Sequence, residues 1–163
     1  MPVFQAYDPG KAALLRRRKA LALSLAVLAA FLAWQGLLLK QWLSVDTRPP
    51  SWDQSIHLET ALDYKDAIAA GRWSEALHPT PKPGMPAFPP LYHLALQPAL
   101  ASANPARAAL WVNFAYFAAL VLCLFGLVFE FRDDFTAAAA AVAFASAPGV
   151  QDMLYTQLVA LPV

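Results

Sequence analysis

Asp53 and His57 stand four residues apart in the stretch Arg48-Pro49-Pro50-Ser51-Trp52-Asp53-Gln54-Ser55-Ile56-His57. On a helix this spacing sets a carboxylate and an imidazole one turn apart on one face. Two kinds of chemistry suit such a pair. A carboxylate near low-dielectric surroundings, with a histidine one turn away, can have its proton affinity tuned for general-base work. Asp53 and His57 can also supply two ligands to a divalent metal ion. A plain structural role competes with both. A first-turn carboxylate favours the helix dipole by about 0.3–1 kcal/mol, and a histidine is commonly a surface or hydrogen-bonded residue. Spacing leaves the three open. Thr60 and Tyr64 continue the same stripe. A further histidine, His93, lies in Pro89-Pro90-Leu91-Tyr92-His93-Leu94. It reads as a hydrogen-bonded interfacial residue or as a contact to a polar ligand headgroup. The single Cys123 excludes a disulfide framework and a multi-cysteine metal site. Within its apolar run it reads as a buried, inert thiol.

These residues need a helix and a loop to hold them. Ser51 and Gln54 form a capping-box pattern, and Pro49-Pro50 stop any continuation upstream. Gly71 is a plausible C-terminal stop. The spacing therefore predicts a helix over 52–70. At about 100° per residue its side chains sort into three faces. Leu58, Ala61, Leu62 and Ile68 form an apolar stripe, and Glu59, Asp63 and Asp66 an acidic one. Asp53, His57, Thr60 and Tyr64 share the third. An amphipathic helix of this kind is expected to lie on a bilayer surface, with its polar faces toward water or a site. A stiff segment rich in proline, Pro79 to Pro90, follows. A short apolar helix over 89–101, interfacial or re-entrant by its length, comes after it.

The composition says what surrounds this loop. Of the 163 residues, 59% are hydrophobic and 14% charged, against about 25% charged in ordinary soluble domains. Disorder is excluded by the hydrophobicity. A net charge of +1 gives no basic field for nucleic acid, so no nucleic-acid partner is expected. The fold class expected is all-α: polytopic transmembrane helices with an amphipathic juxtamembrane helical loop. Residues 1–19 form a basic cytoplasmic N-terminus with Lys11, Arg16, Arg17, Arg18 and Lys19. Spans are expected over 20–39, 106–130 and 135–155, the last bent at Pro148-Gly149. A cleaved signal peptide is the alternative for the first, but the residues after it make a poor cleavage site. Residues 40–105 are then one extracytoplasmic loop, 131–134 a cytoplasmic turn, and 156–163 the start of a second external loop.

The order of these features resembles a known family. A basic N-terminus and first span are followed by Arg-Pro-Pro-x-Trp-Asp, a loop helix and Pro-Pro-Leu-Tyr-His-Leu. Pro105-Ala106-Arg107 then opens a long span. Over roughly residues 15–160 this is similar to the N-terminal portion of GT-C-type membrane glycosyltransferases, the glycosyltransferase family 39 or protein O-mannosyltransferase and aminoarabinose transferase group. The resemblance implies a GT-C-like N-terminal module in a bacterial inner (plasma) membrane. It implies inverting transfer of a sugar from a polyprenyl-phosphate donor to a lipid, glycan or protein acceptor hydroxyl on the extracytoplasmic side. Asp53 matches the aspartate that orients or deprotonates the acceptor, and some members hold a divalent metal ion near it. Gln54 stands where the family often has glutamate. The family's second external aspartate has no counterpart in Tyr155 to Pro162, and Asp152 lies upstream of the tyrosine. Family members also have more spans, so the chain is expected to be the front part of a longer enzyme.

Donor phosphate binding needs a cation near the outer interface. Arg48, Lys65, Arg72 and Lys82 are available, and Arg48, close to Asp53, is the first choice. His57, Tyr64 and His93 are the other candidate substrate contacts. The competing reading is a non-catalytic membrane protein that serves as partner subunit or scaffold. The alanine-rich stretch from Thr136 to Ala147 offers small faces for helix packing with a second subunit. A transporter is disfavoured, because the span interiors carry almost no ionisable groups.

Overall fold

The computed structural model of the chain describes residues 9–46, 52–77, 88 and 90–155. These are all-helical, with no strand among them. The elements are α1 (Pro9–Val45), α2 (Trp52–Ala69), α3 (Trp73–Leu77), α4 (Pro90–Ala95), α5 (Gln97–Leu100), α6 (Pro105–Phe129), α7 (Asp134–Ala145) and α8 (Pro148–Tyr155). Two stretches, Ala13–Val45 within α1 and Pro105–Phe129, are long and apolar enough to cross a membrane.

The side-chain contacts fix how the long helices run. Phe31 meets Phe117 with ring centres 6.3 Å apart. Five residues further along α1, a methyl group at Gly36 would lie 3.3 Å from Phe114 Cζ. Later positions on α1 therefore meet earlier positions on α6, and the two are antiparallel. A short turn through Glu130 to Asp133 joins α6 to α7, which makes that pair antiparallel as well. Thus α1 and α7 run the same way. Ala137, Ala138, Ala141 and Ala145 are buried and share one core with Leu28, Leu39, Phe117 and Val121. Their small size lets α7 lie close against its two neighbours.

Local chemistry sets the helix ends. Asn104 Oδ1 accepts from the Arg107 backbone N–H at 3.1 Å and caps α6. Asp133 Oδ1 accepts from the Thr136 N–H at 2.9 Å and caps α7. Gly71 has φ of 72°, the left-handed conformation that glycine adopts readily just after a helix.

Several sequence expectations need adjustment. α1 continues through the basic segment to Pro9 and is 37 residues long, because arginine, lysine and leucine all favour helix. The third apolar run is interrupted just before the bend expected at Pro148-Gly149 and forms two helices, α7 and α8. α7 has 12 residues, or about 18 Å of rise, and the chain breaks at Ser146-Ala147. Pro148 has no N–H to continue the ladder, and the Gln151 side chain donates to the Ala145 carbonyl instead. The segment 89–101 likewise divides into α4 and α5 around Leu96. Cys123 is exposed on the chain's surface, not buried.

Candidate functional site

The loop helices pack on α2 through a face that coincides only in part with its apolar stripe: Ala61 of that stripe is buried, and Leu58 and Ile68 are half-buried against the packed residues. Ile56, His57, Ala61, Tyr64 and Ala67 are buried, whereas Leu62 is 46% exposed. The stripe that carries His57 and Tyr64 is thus an inner face and does not look toward water. The reason lies on α4 and α5, which present polar and aromatic partners to it. Gln97 Nε2 donates to the carbonyls of Ala61 and His93, both at 2.9 Å, and so ties α5 to α2 and α4. Around this clamp Ala61, Tyr92, Leu96 and Ala109 make a small core joining α2, α4 and α6.

His57 and His93 meet at its centre. His57 Nδ1 and His93 Nε2 are 3.1 Å apart, and the two residues are 4% and 0% exposed. One nitrogen of the pair must carry the proton and the other accept it. The ring centres are 5.3 Å apart. That exceeds the nitrogen separation by about two imidazole radii (~1.1 Å each), so the rings approach nearly end-on. End-on approach is hydrogen-bond geometry. Two imidazoles sharing one metal ion converge on it at an angle. Aromatic rings enclose the pair. Phe88 stands 4.8 Å from His57 in edge contact, and Tyr92 5.8 Å. Tyr64 stands 5.4 Å from His93.

The phenols extend the polar network outward. Tyr92 Oη donates to Asn113 Oδ1 on α6 at 2.9 Å, and Tyr64 Oη reaches toward the Phe88 carbonyl at 3.5 Å. Burial pushes the Tyr92 phenol well above its ordinary pKa, with Tyr116 adding to the effect. Burial also raises Tyr64. Both therefore remain neutral donors at physiological pH.

Beside Tyr116 an open apolar groove of about 560 Å³ runs between α4–α5 and α6. Ala95, Pro98, Ala99, Trp111 and Ala119 contribute to its walls.

Of the residues selected from sequence, the structure brings His57, Tyr64 and His93 together. Asp53 belongs to the first turn of α2, one turn before His57, but its side chain lies outside the described residues. Arg48 also lies outside them. Among the described residues no group of three His, Cys, Asp or Glu side chains is placed to hold a metal ion. The hydrogen bond to His93 occupies His57 Nδ1, so an ion shared with Asp53 would use the other ring nitrogen, Nε2. His93 would then serve as the outer partner that orients the ligand ring. Sequence reasoning missed Phe88, Tyr92, Gln97 and Asn113. Asn113 left one signal, as a polar side chain inside the long apolar run of α6.

No protein-family model matches the chain, and neither a curated protein nor a solved structure matches it.

Proposed function

We propose that the chain is the N-terminal module of a membrane glycosyltransferase of GT-C type, which moves a sugar from a polyprenyl-phosphate donor to an acceptor hydroxyl outside the cytoplasm. One observation carries this reading. The two sequence elements that suggested it, the Asp53 helix and the Pro-Pro-Leu-Tyr-His-Leu segment, are 36 residues apart at His57 and His93, yet they meet in one buried site. The apolar surface supports a membrane setting. Leu23, Leu37, Trp34, Leu122 and Leu127 are exposed on the two long helices, where lipid would cover them. The groove beside Tyr116 suits an isoprenoid chain by its volume and its apolar walls.

In this reading Asp53 takes the proton of the acceptor hydroxyl as the sugar is displaced with inversion. Arg48 neutralises the donor phosphate. A divalent ion, where present, adds charge to that phosphate site. His57, Tyr64 and His93 hold the first turn of α2 in place by anchoring the helix to α4. Asp53→Asn in the active protein is expected to abolish sugar transfer with expression unchanged, read out by transfer of labelled sugar from membrane donor to acceptor. Retained transfer would remove the general-base role.

A second reading draws on the same groove. The small residues Ala95, Ala99 and Ala119 would admit a transmembrane helix of a partner subunit as readily as a lipid chain. It predicts a stable complex in mild detergent, measured as mass in solution. A monodisperse monomer that transfers sugar unaided would overturn it.

A further inference from the structure

The first turns of α1 carry a concentration of charge that the site does not use. Arg16, Arg17, Arg18 and Lys19 are all exposed, and all lie within one uninterrupted helix. From Pro9 to Val45 that helix contains no acidic residue. Because α1 and α7 run in the same direction, the turn from Glu130 to Asp134 lies at the same end of the molecule. It brings three acids, Glu130, Asp133 and Asp134, and one further cation, Arg132. Between 16–19 and 130–134, five cations thus stand against three acids. Among the described residues, Arg17, Arg18 and Lys19 make no ion pair, and Asp133 is committed to capping α7.

The arrangement of the cations identifies what they meet. Successive residues on a helix are about 100° apart, so four in a row surround α1 almost completely. A protein partner would engage one side of such a ring and leave the rest unmatched. A layer of lipid headgroups surrounds a helix on every side. The ring also sits directly against the uncharged run that begins at Ala20. It is therefore at the hydrocarbon boundary when α1 spans the bilayer, and long cationic side chains reach headgroup phosphates from there.

We infer that Arg17, Arg18 and Lys19, fixed around the continuous helix α1, bind anionic phospholipid headgroups of the cytoplasmic leaflet. This rests on the membrane reading of α1 and not on any sugar-transfer activity.

The test uses the full chain reconstituted in phosphatidylcholine vesicles containing phosphatidylglycerol. Spin-labelled phosphatidylglycerol and phosphatidylcholine are compared for the fraction immobilised on the protein. The wild type is expected to favour phosphatidylglycerol at low salt. Each cation near the surface accounts for about a fivefold preference at most. High salt should weaken the selectivity by screening. The triple variant Arg17→Gln, Arg18→Gln, Lys19→Gln should lose most of it, while Arg17→Lys with Arg18→Lys should retain it. Equal immobilisation of the two lipids by the wild type, or unchanged selectivity in the triple variant, overturns the inference. So does capture of a soluble polyglutamate peptide without any lipid preference, which would hand the ring to a protein partner. Alkaline carbonate extraction is run in parallel. Release of the wild-type chain from membranes defeats the membrane reading itself, whereas a retained chain without lipid selectivity defeats only this inference.

Discussion

The hydrogen bond between His57 and His93 can be isolated by a double-mutant cycle. Leucine is the substitution of choice, because it retains apolar bulk against Phe88, Tyr64 and Tyr92 while removing the ring nitrogens. In His93→Leu the His57 Nδ1 loses its partner while the ring stays almost completely buried. Leaving a buried polar group unsatisfied costs about 1–3 kcal/mol. His57→Leu does the same to His93 Nε2. In the double variant both polar groups are gone, and that penalty disappears from both sides. The double change should therefore cost less than the two single changes added together, with a coupling of about 1–3 kcal/mol. Each single substitution at about 2 kcal/mol would lower the unfolding midpoint by roughly 4–8 °C in a chain of this size. The assay is thermal unfolding of all four proteins in one detergent, followed by helical circular dichroism. Single costs that add to the double within about 0.5 kcal/mol would refute the reasoning. The end-on contact would then be incidental packing between two independently held rings.

Three other perturbations have definite outcomes. Tyr92 has a raised pKa in the folded chain, so its share of stability is complete below its ordinary value of 10.0 and declines as pH rises beyond it. Tyr92→Phe should flatten that alkaline limb and cost about 1 kcal/mol at neutral pH through the lost bond to Asn113; ultraviolet absorbance of tyrosinate against pH checks it. Asp133 has the opposite sign. The Thr136 N–H lowers its pKa below 3.8, so the cap stabilises α7 above that value and fails as pH falls through the lowered one. Asp133→Asn should remove this acid dependence from the unfolding curve. Gly36→Leu should separate α1 from α6, because even a methyl group there meets the Phe114 ring at 3.3 Å. A loss of about 1–3 kcal/mol is expected from the overpacking, together with greater protease sensitivity of the folded chain.

What the sequence revealed, and what it hid, follows from the range of each signal. Helix content, the two long apolar helices and the helical loop around His57 were legible, because apolar runs, prolines and caps act within a few residues. The end of α1 was not, since the basic residues that mark a membrane boundary also favour helix and do nothing to stop it. The break at Ser146-Ala147 was half legible. Pro148 announced a disturbance, but the Gln151 side chain that satisfies Ala145 across the break could not be read from local pattern. The buried face of α2 was legible only in part, for a more general reason. Hydrophobicity ranks Leu62 above His57 and Tyr64, yet the partner surface on α4 and α5 decides which side is covered. His93, Tyr92 and Gln97 make that surface polar and aromatic, so the histidine face turns inward and Leu62 turns out.

The same network explains how a loop is held against a membrane-type helix with little apolar core of its own. α2 carries Asp53, Glu59, Asp63 and Asp66 on 18 residues, too much charge for deep burial. Its attachment instead runs through a few directional contacts. His57 joins α2 to α4, Gln97 joins α5 back to Ala61 on α2, and Tyr92 joins α4 to Asn113 on α6. Each of these bonds contributes only about 0.5–1.5 kcal/mol net, but each costs more when one partner is lost. The loop is therefore specified more sharply than it is stabilised. A substitution at His57, His93 or Gln97 should shift the first turn of α2, and with it Asp53, before it unfolds α1 or α6. Under the role proposed for Asp53, that is the sensitive coordinate, because small misplacements of a reacting group cost large factors in rate.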